Sequence, residues 1–209
     1  MEAPDKYVIV IGREFGSGGR TVGKLLATKL GIDYYDTELL DKAAAAEGVH
    51  PEVFKDHEEK RPSRLKALLQ GAYGIADNFH TVPLSGERIY RVQSKIIKDV
   101  SDKGSCVIVG RNADFILREH PKLLSVFLHS DIEKRAQRIV DRGEAENLEK
   151  AVEMARQKDK RRESFYNFYT GEKRWGVASN YDLTLDTTRL KSEEVVDLII
   201  NLGKRRLGL

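Results

Sequence analysis

With one cysteine, one tryptophan and two methionines among 209 residues, the chain excludes several protein classes before any motif is read. A lone Cys106 cannot close an intrachain disulfide. It lies inside the apolar run Cys106 to Val109, so the expectation is a buried thiol in a reducing, cytoplasmic setting. No run approaches the roughly 18 consecutive apolar residues of a membrane span. The start, Met1-Glu-Ala-Pro-Asp-Lys-Tyr7, has neither the basic stretch nor the apolar stretch of a signal peptide, and no membrane partner is expected. Charge of one sign is also scarce: 33% of residues are charged, yet the net charge is only +3. A surface dense in both signs argues against a nucleic-acid-binding body. The five histidines, His50, His57, His80, His120 and His129, have no metal-ligand spacing. No Ser-His-Asp order or Cys-His pairing invites a hydrolase reading.

What the chain does have is a glycine cluster in a telling place. Gly12-Arg-Glu-Phe-Gly-Ser-Gly-Gly-Arg-Thr21 follows the apolar run Tyr7 to Ile11 and leads into a helical pattern, with Val22, Leu25, Leu26 and Leu30 on one face and Gly31 at its end. Strand, glycine turn and helix start together make a phosphate cradle, because successive N–H groups and the helix dipole converge on one point. The backbone of Gly16, Ser17, Gly18, Gly19, Arg20 and Thr21 is the candidate anion site. Thr21 is the natural hydroxyl for Mg²⁺ or phosphate, since Mg²⁺ takes hard oxygen ligands. One part is missing. The phosphate-loop pattern G-x-x-x-x-G-K-[ST] carries a lysine to the β- and γ-phosphates, and here that position reads Gly19 or Arg20, depending on the count.

Further apolar runs at Cys106 to Val109 and Leu123 to Leu128, with shorter ones at Ile32 to Tyr35 and Tyr181 to Leu185, predict about five strands. They are apolar without alternation, as strands covered on both faces are. Helical periodicity lies between them. It runs through Ile89, Val92, Ile96, Ile97 and Val100 after a capping Ser85, through Ile132, Ala136, Ile139 and Val140, and from Ser192 to about Arg206. The fold class is α/β, a three-layer α/β/α single domain over residues 1–209. Two segments interrupt the alternation. Residues 47–86, with Pro51, Pro62 and Pro83, predict an inserted helical arm, and residues 143–177 a lid built on a helix from Asn147 to Tyr169.

Phe15-Gly-Ser-Gly-Gly-Arg-Thr21, Tyr34-Tyr-Asp36, Val109-Gly-Arg111 and Tyr181-Asp-Leu-Thr-Leu-Asp-Thr-Thr188 together resemble the cytidylate kinase-like family, within the nucleoside monophosphate kinases. The resemblance implies a P-loop fold with five parallel strands, an acceptor-binding arm and a mobile lid. It implies phosphoryl transfer from ATP, with Mg²⁺, to a nucleoside monophosphate such as CMP or dCMP. By the same resemblance Asp36, Lys42, Arg111 and Asp159 face the acceptor. Asp36 also reads as a plain helix N-cap, and the two roles can coexist, with Asp36 helping Thr21 to hold the ion through water. Arg135, Arg138 and Arg142 share one helix stripe, and Arg138-Ile-Val-Asp-Arg142 resembles a lid entry with Arg138 against the base and Arg142 on the phosphates. A solvated basic face is the alternative. Arg161 and Arg162 resemble the lid arginines that neutralise the transferring group, and Arg20 or Arg13 would stand in for the lysine. The aromatic run Phe165, Tyr166, Phe168 and Tyr169 reads as core or an oligomer contact, and Trp175 as packing for the lid's end.

Two rival readings stay open. One is a nucleotide-binding regulatory protein with little or no kinase activity, favoured by the absent lysine and by the absence of a carboxylate at Val109-Gly110-Arg111. The other is a P-loop kinase for a different small acceptor. Oligomeric state and acceptor base are not legible.

Overall fold

The computed structural model describes residues 6–39, 86–171 and 173–209. Five strands, β1 (Val8–Arg13), β2 (Asp33–Tyr35), β3 (Cys106–Val109), β4 (Leu123–His129) and β5 (Leu183–Asp186), form one parallel sheet in the order β2-β3-β1-β4-β5. Helices connect or follow them: α1 (Gly19–Leu30), α2 (Gly86–Lys103), α3 (Ala113–Ile116), α4 (Ile132–Asp141), α5 (Leu148–Thr170) and α6 (Ser192–Leu207), with further helical residues at 37–39. The five parallel strands expected from the apolar runs are all present. The arm expected over 47–86 lies outside the described residues except for Gly86, which opens α2, and so do Ser85 and Lys42.

The runs lack alternation because both faces of the sheet are covered. Ile9 and Ile11 turn to one face with Val107 and Val109, under Val22 and Leu26 of α1 and Val195, Val196 and Ile199 of α6. Val8 and Val10 turn to the other with Cys106 and Ile108, under Ile96, Ile97 and Val100 of α2 and Ala113 and Ile116 of α3. A fully buried aliphatic side chain stabilises by about 1.5–3 kcal/mol, so these two layers hold the central strands rigidly. Cys106 is in this core, and burial pushes its thiol up to about 12, which makes it inert. A third cluster joins Ala136 and Ile139 of α4 to Ala151 and Ala155 of α5. No helix among the described residues is long and apolar enough to cross a membrane.

Boundaries moved where side chains intervene. β5 starts at Leu183, not Tyr181, because the Asp182 carboxylate accepts both the N–H and the hydroxyl of Ser125 at 2.8 Å. Asn147 caps α5 from outside, accepting the Lys150 N–H at 2.9 Å. α6 is entered through Lys191, whose N–H donates to Glu194 at 2.7 Å, and Ser192 is already helical. One extension matters for the site. β1 pairs with β3 only as far as Ile11 opposite Val109, but with β4 through Gly12 and Arg13. The end of β1 therefore overhangs β3 at the sheet's carboxyl edge, where open α/β sheets bind ligands.

Candidate functional site

The glycine loop leaves the central strand and is anchored from three directions. Gly16 and Gly18 have φ of 85° and 91°, a left-handed conformation that glycine adopts without a steric penalty, and Gly18 is the N-cap of α1. The first intrahelical bond runs from the Val22 N–H to the Gly18 carbonyl at 3.0 Å, so the N–H groups of Gly19, Arg20 and Thr21 come before it and are left for an anion. From just beyond β5, the Thr187 hydroxyl donates to the Ser17 carbonyl at 2.8 Å. From α4, Arg135 pairs with Glu14 at 3.4 Å, and Glu14 also accepts the Ser130 N–H at 3.1 Å. From α5, Asp159 accepts the Phe15 N–H at 2.7 Å and pairs with Arg135. The Arg135 and Asp159 side chains are only 9% and 15% exposed, so loss of either leaves the other charge poorly solvated.

Two cavities flank the loop. The first, of about 300 Å³, lies over the ends of β1 and β3 and against α5. Its walls bring together Arg13, Arg20, Arg111, Lys158, Arg161 and Arg162, with Asp114 as their one carboxyl group and Phe165, Tyr166, Trp175 and Tyr181 as aromatic lining. Burial raises the Asp114 pKa, while the hydrogen bond donated by the Tyr166 hydroxyl at 2.7 Å opposes that shift. Arg111 reaches its place through a turn of three left-handed residues, Gly110, Arg111 and Asn112, with φ of 86°, 58° and 55°.

The second cavity, of about 310 Å³, lies on the other side of the loop, between Ser17, Gly18 and Thr21, Arg138 and Arg142 of α4, and Thr187 and Leu190 beyond β5. Here one guanidinium is immobilised. Arg138 donates to the Thr187 carbonyl at 2.7 Å, to its hydroxyl at 3.3 Å and to the Gly16 carbonyl at 3.4 Å. Burial, then the neighbouring Arg142, lowers its pKa, though a guanidinium stays charged at any working pH.

The structure thus gathers Arg13, Arg20, Arg111, Arg161 and Arg162 at one cavity, and Thr21, Arg138 and Arg142 at the other. Asp36 is the cap that its position suggested: it accepts the Glu38 and Leu39 N–H groups at 3.1 Å each, and its other oxygen takes the Tyr34 hydroxyl at 3.2 Å and faces Arg20 at 3.7 Å. Three expectations change. Asp159, expected at the acceptor, holds the loop backbone instead and lines neither cavity. Arg135 does not share an open stripe with Arg138 and Arg142, being buried in the Glu14 and Asp159 pairs. Of the aromatic run, Phe165 and Tyr166 wall the first cavity, whereas Tyr169 stacks on Tyr90 with ring centroids 3.9 Å apart. Trp175 packs edge-on against Phe127 of β4 and reaches the cavity wall as well.

Sequence reasoning passed over Asp114 and the role of Phe15. The Phe15 ring carries Lys158, Arg162 and Arg142 at 4.4, 5.3 and 5.9 Å from its centroid, so cations of both α4 and α5 lean on the loop. The available signal was Glu14, because a carboxylate within a phosphate cradle needs a cation turned away from the ligand.

A parallel sheet ordered 2-3-1-4-5, with a glycine loop leaving the central strand, is the fold of the P-loop kinases. A shikimate kinase from Aquifex aeolicus has the same fold at 21% identity, with a TM-score of 0.52 over 97% of this chain and 99% of that one. Residues 8–189 match the cytidylate kinase-like family, and the chain belongs to it. Among curated proteins it is similar to the cytidylate kinases of Fervidobacterium nodosum and Sulfolobus acidocaldarius. The first is 28% identical over 95% of this chain and 96% of the relative, and the second 25% identical over 95% and 94%. An uncharacterized protein from Eubacterium ventriosum superposes with a TM-score of 0.72 at 28% identity, covering 96% of this chain and all of its own.

Proposed function

We propose that the protein transfers the terminal phosphoryl group of ATP to a nucleoside monophosphate, with CMP or dCMP as the first acceptors to test. The observation that carries this reading is the pair of cavities on opposite sides of one anchored phosphate loop. Phosphoryl transfer asks for in-line positioning and charge neutralisation rather than covalent chemistry. In this reading the donor base lies against the pinned Arg138, and Arg142 meets the donor phosphates. The loop N–H groups from Gly16 to Thr21 hold the β- and γ-phosphates. The acceptor phosphate meets Arg111 in the first cavity, and Arg161 and Arg162 close over the transferred group. The choice of cytidylate is supported by relatives of that name at 25–28% identity.

Mg²⁺ enters as the counter-ion of ATP. Among the described residues no three His, Cys, Asp or Glu side chains form a metal-binding group. The Thr21 hydroxyl on the first turn of α1 suits an ion already held by phosphate oxygens. The Asp36 carboxylate is occupied by two N–H groups, a hydroxyl and Arg20, so its part is limited to orienting a water.

Coupled turnover assays with ATP and Mg²⁺ across CMP, dCMP, UMP and AMP test the reading, and turnover fastest on a cytidine nucleotide is the expected result. Saturable ATP binding without turnover on any of these or on other small acceptors would replace it with the regulatory reading, to which the loop's missing lysine lends weight. Turnover confined to a non-nucleotide acceptor would keep the transfer and discard the acceptor. If neither ATP nor a monophosphate raised the melting temperature, the phosphate-site assignment itself would fall, since a ligand bound only by the folded state must stabilise it.

A further inference from the structure

The phosphate loop lacks its lysine, and an arginine stands at the end of β1 beside it. Because β1 overhangs β3, Arg13 pairs with Leu128 on one side and has no strand neighbour on the other. Its side chain runs through that gap. A Cβ placed on Gly19 would lie 2.8 Å from both Cβ and Cγ of Arg13. One placed on Gly110 would collide with the guanidinium, lying 2.6 Å from its Cζ and 2.9 Å from Nη2. The stem therefore crosses Gly19, and the head rests over Gly110, at the wall of the basic cavity.

The two glycines are there for different reasons. Gly110 has a φ of 86°, which favours glycine irrespective of space. Gly19 is an ordinary first residue of α1, absent from the left-handed set, so its conformation would accept any side chain. What excludes a side chain at 19 is Arg13. The other candidate cation is differently employed: the Arg20 side chain is 63% exposed and sits 3.7 Å from Asp36.

The geometry points to Arg13 as the cation that replaces the phosphate-loop lysine, with Gly19 as the vacancy that admits it. The charge on the transferring phosphoryl is then met from the end of the strand before the loop, not from the helix after it. The loop is a rearranged site rather than a depleted one. A guanidinium spreads its charge over a planar fork and binds two phosphate oxygens at once, which suits a cation lying flat across the sheet edge. The consequence for turnover rests on the kinase reading, whereas the consequence for ATP binding does not.

The experiment is a double-mutant cycle between positions 13 and 19, read in ATP affinity by calorimetry and in turnover with CMP. Arg13→Ala is expected to lower kcat by about 1,000-fold or more, within the range known for catalytic arginines, and ATP affinity by roughly tenfold. Arg13→Lys should recover part of both. Gly19→Ala adds one methyl group in the path of the stem, and should cost about tenfold in the wild-type background and under about twofold in Arg13→Gly, which removes both the Cβ and the Cγ that the methyl would meet. The ligand-free melting temperature of each variant checks the fold. Should Arg13→Gly not fold, Arg13→Ala serves as the second background, with an intermediate Gly19→Ala loss expected because it removes the Cγ contact and keeps the Cβ. Retention of wild-type kcat and ATP affinity by Arg13→Ala would overturn the assignment, as would an equal Gly19→Ala loss in both backgrounds. If the wild type turned over no acceptor, the kinase reading would fall, and the same cycle read in ATP affinity would still decide Arg13: unequal losses uphold it and equal losses overturn it.

Discussion

The two cavities are nearly equal in volume and opposite in construction. The one beside α4 holds Arg138 on carbonyls of Thr187 and Gly16, so its guanidinium is fixed before any ligand arrives. The one beneath α5 gathers six cations around a single carboxyl group, and three of them, Arg20, Lys158 and Arg161, are exposed. A pinned planar group offers a surface for a flat, uncharged base. A crowd of cations offers a field for mobile phosphate charge. On the proposed function the difference assigns donor recognition to geometry already built, and phosphoryl neutralisation to the field of clustered cations.

Arg111→Ala separates the cavities most widely. It should lower kcat/KM for the acceptor by about 100-fold or more, as loss of a charge-assisted bidentate contact does, while ATP affinity stays within about twofold. Equal loss in both would show that the two cavities are one site. Arg138→Ala is the reciprocal change, expected to weaken ATP binding by roughly tenfold and to leave the acceptor KM in place, measured by titration and by initial rates. Asp159→Asn probes the support that both cavities share. Breaking a mostly buried pair costs about 3 kcal/mol, and for a chain of this size the melting temperature should fall by about 6–12 °C. Loss of activity without that fall would return Asp159 to the acceptor.

The smallest effect is on pH dependence. Burial raises the folded Asp114 pKa above its usual 3.8, so the folded state holds that proton more tightly than the unfolded chain. The resulting contribution to stability is fully present below about pH 4 and is lost as pH rises through the folded value. Asp114→Asn removes this dependence. Thermal melts from pH 4 to 8 should show the variant gaining on the wild type as pH rises, and a constant difference would mean that Asp114 is not shifted.

The sheet was legible because the runs at β1, β3 and β4 are apolar on both faces, and few other structures need that. The loop was legible because four glycines with a serine and a threonine exceed what a turn requires. Asp159 and Arg135 were not. Their charges looked like the rest of a charged helix, and nothing local tells an arginine buried against Glu14 from one in water. Arg13 stood in plain view, yet its path across Gly19 depends on β1 outrunning β3, a register fact that no residue pattern encodes.

The left-handed turn at Arg111 and Asn112 has a consequence for how the sequence can drift. Two successive non-glycine residues held at positive φ cost about 1–2 kcal/mol each relative to ordinary backbone. On backbone energy alone, position 111 would favour glycine, which takes that conformation without penalty. On the proposed function the arginine at 111 holds an acceptor phosphate at the cost of backbone strain, and replacements there should divide into those that relax the backbone and those that keep the grip.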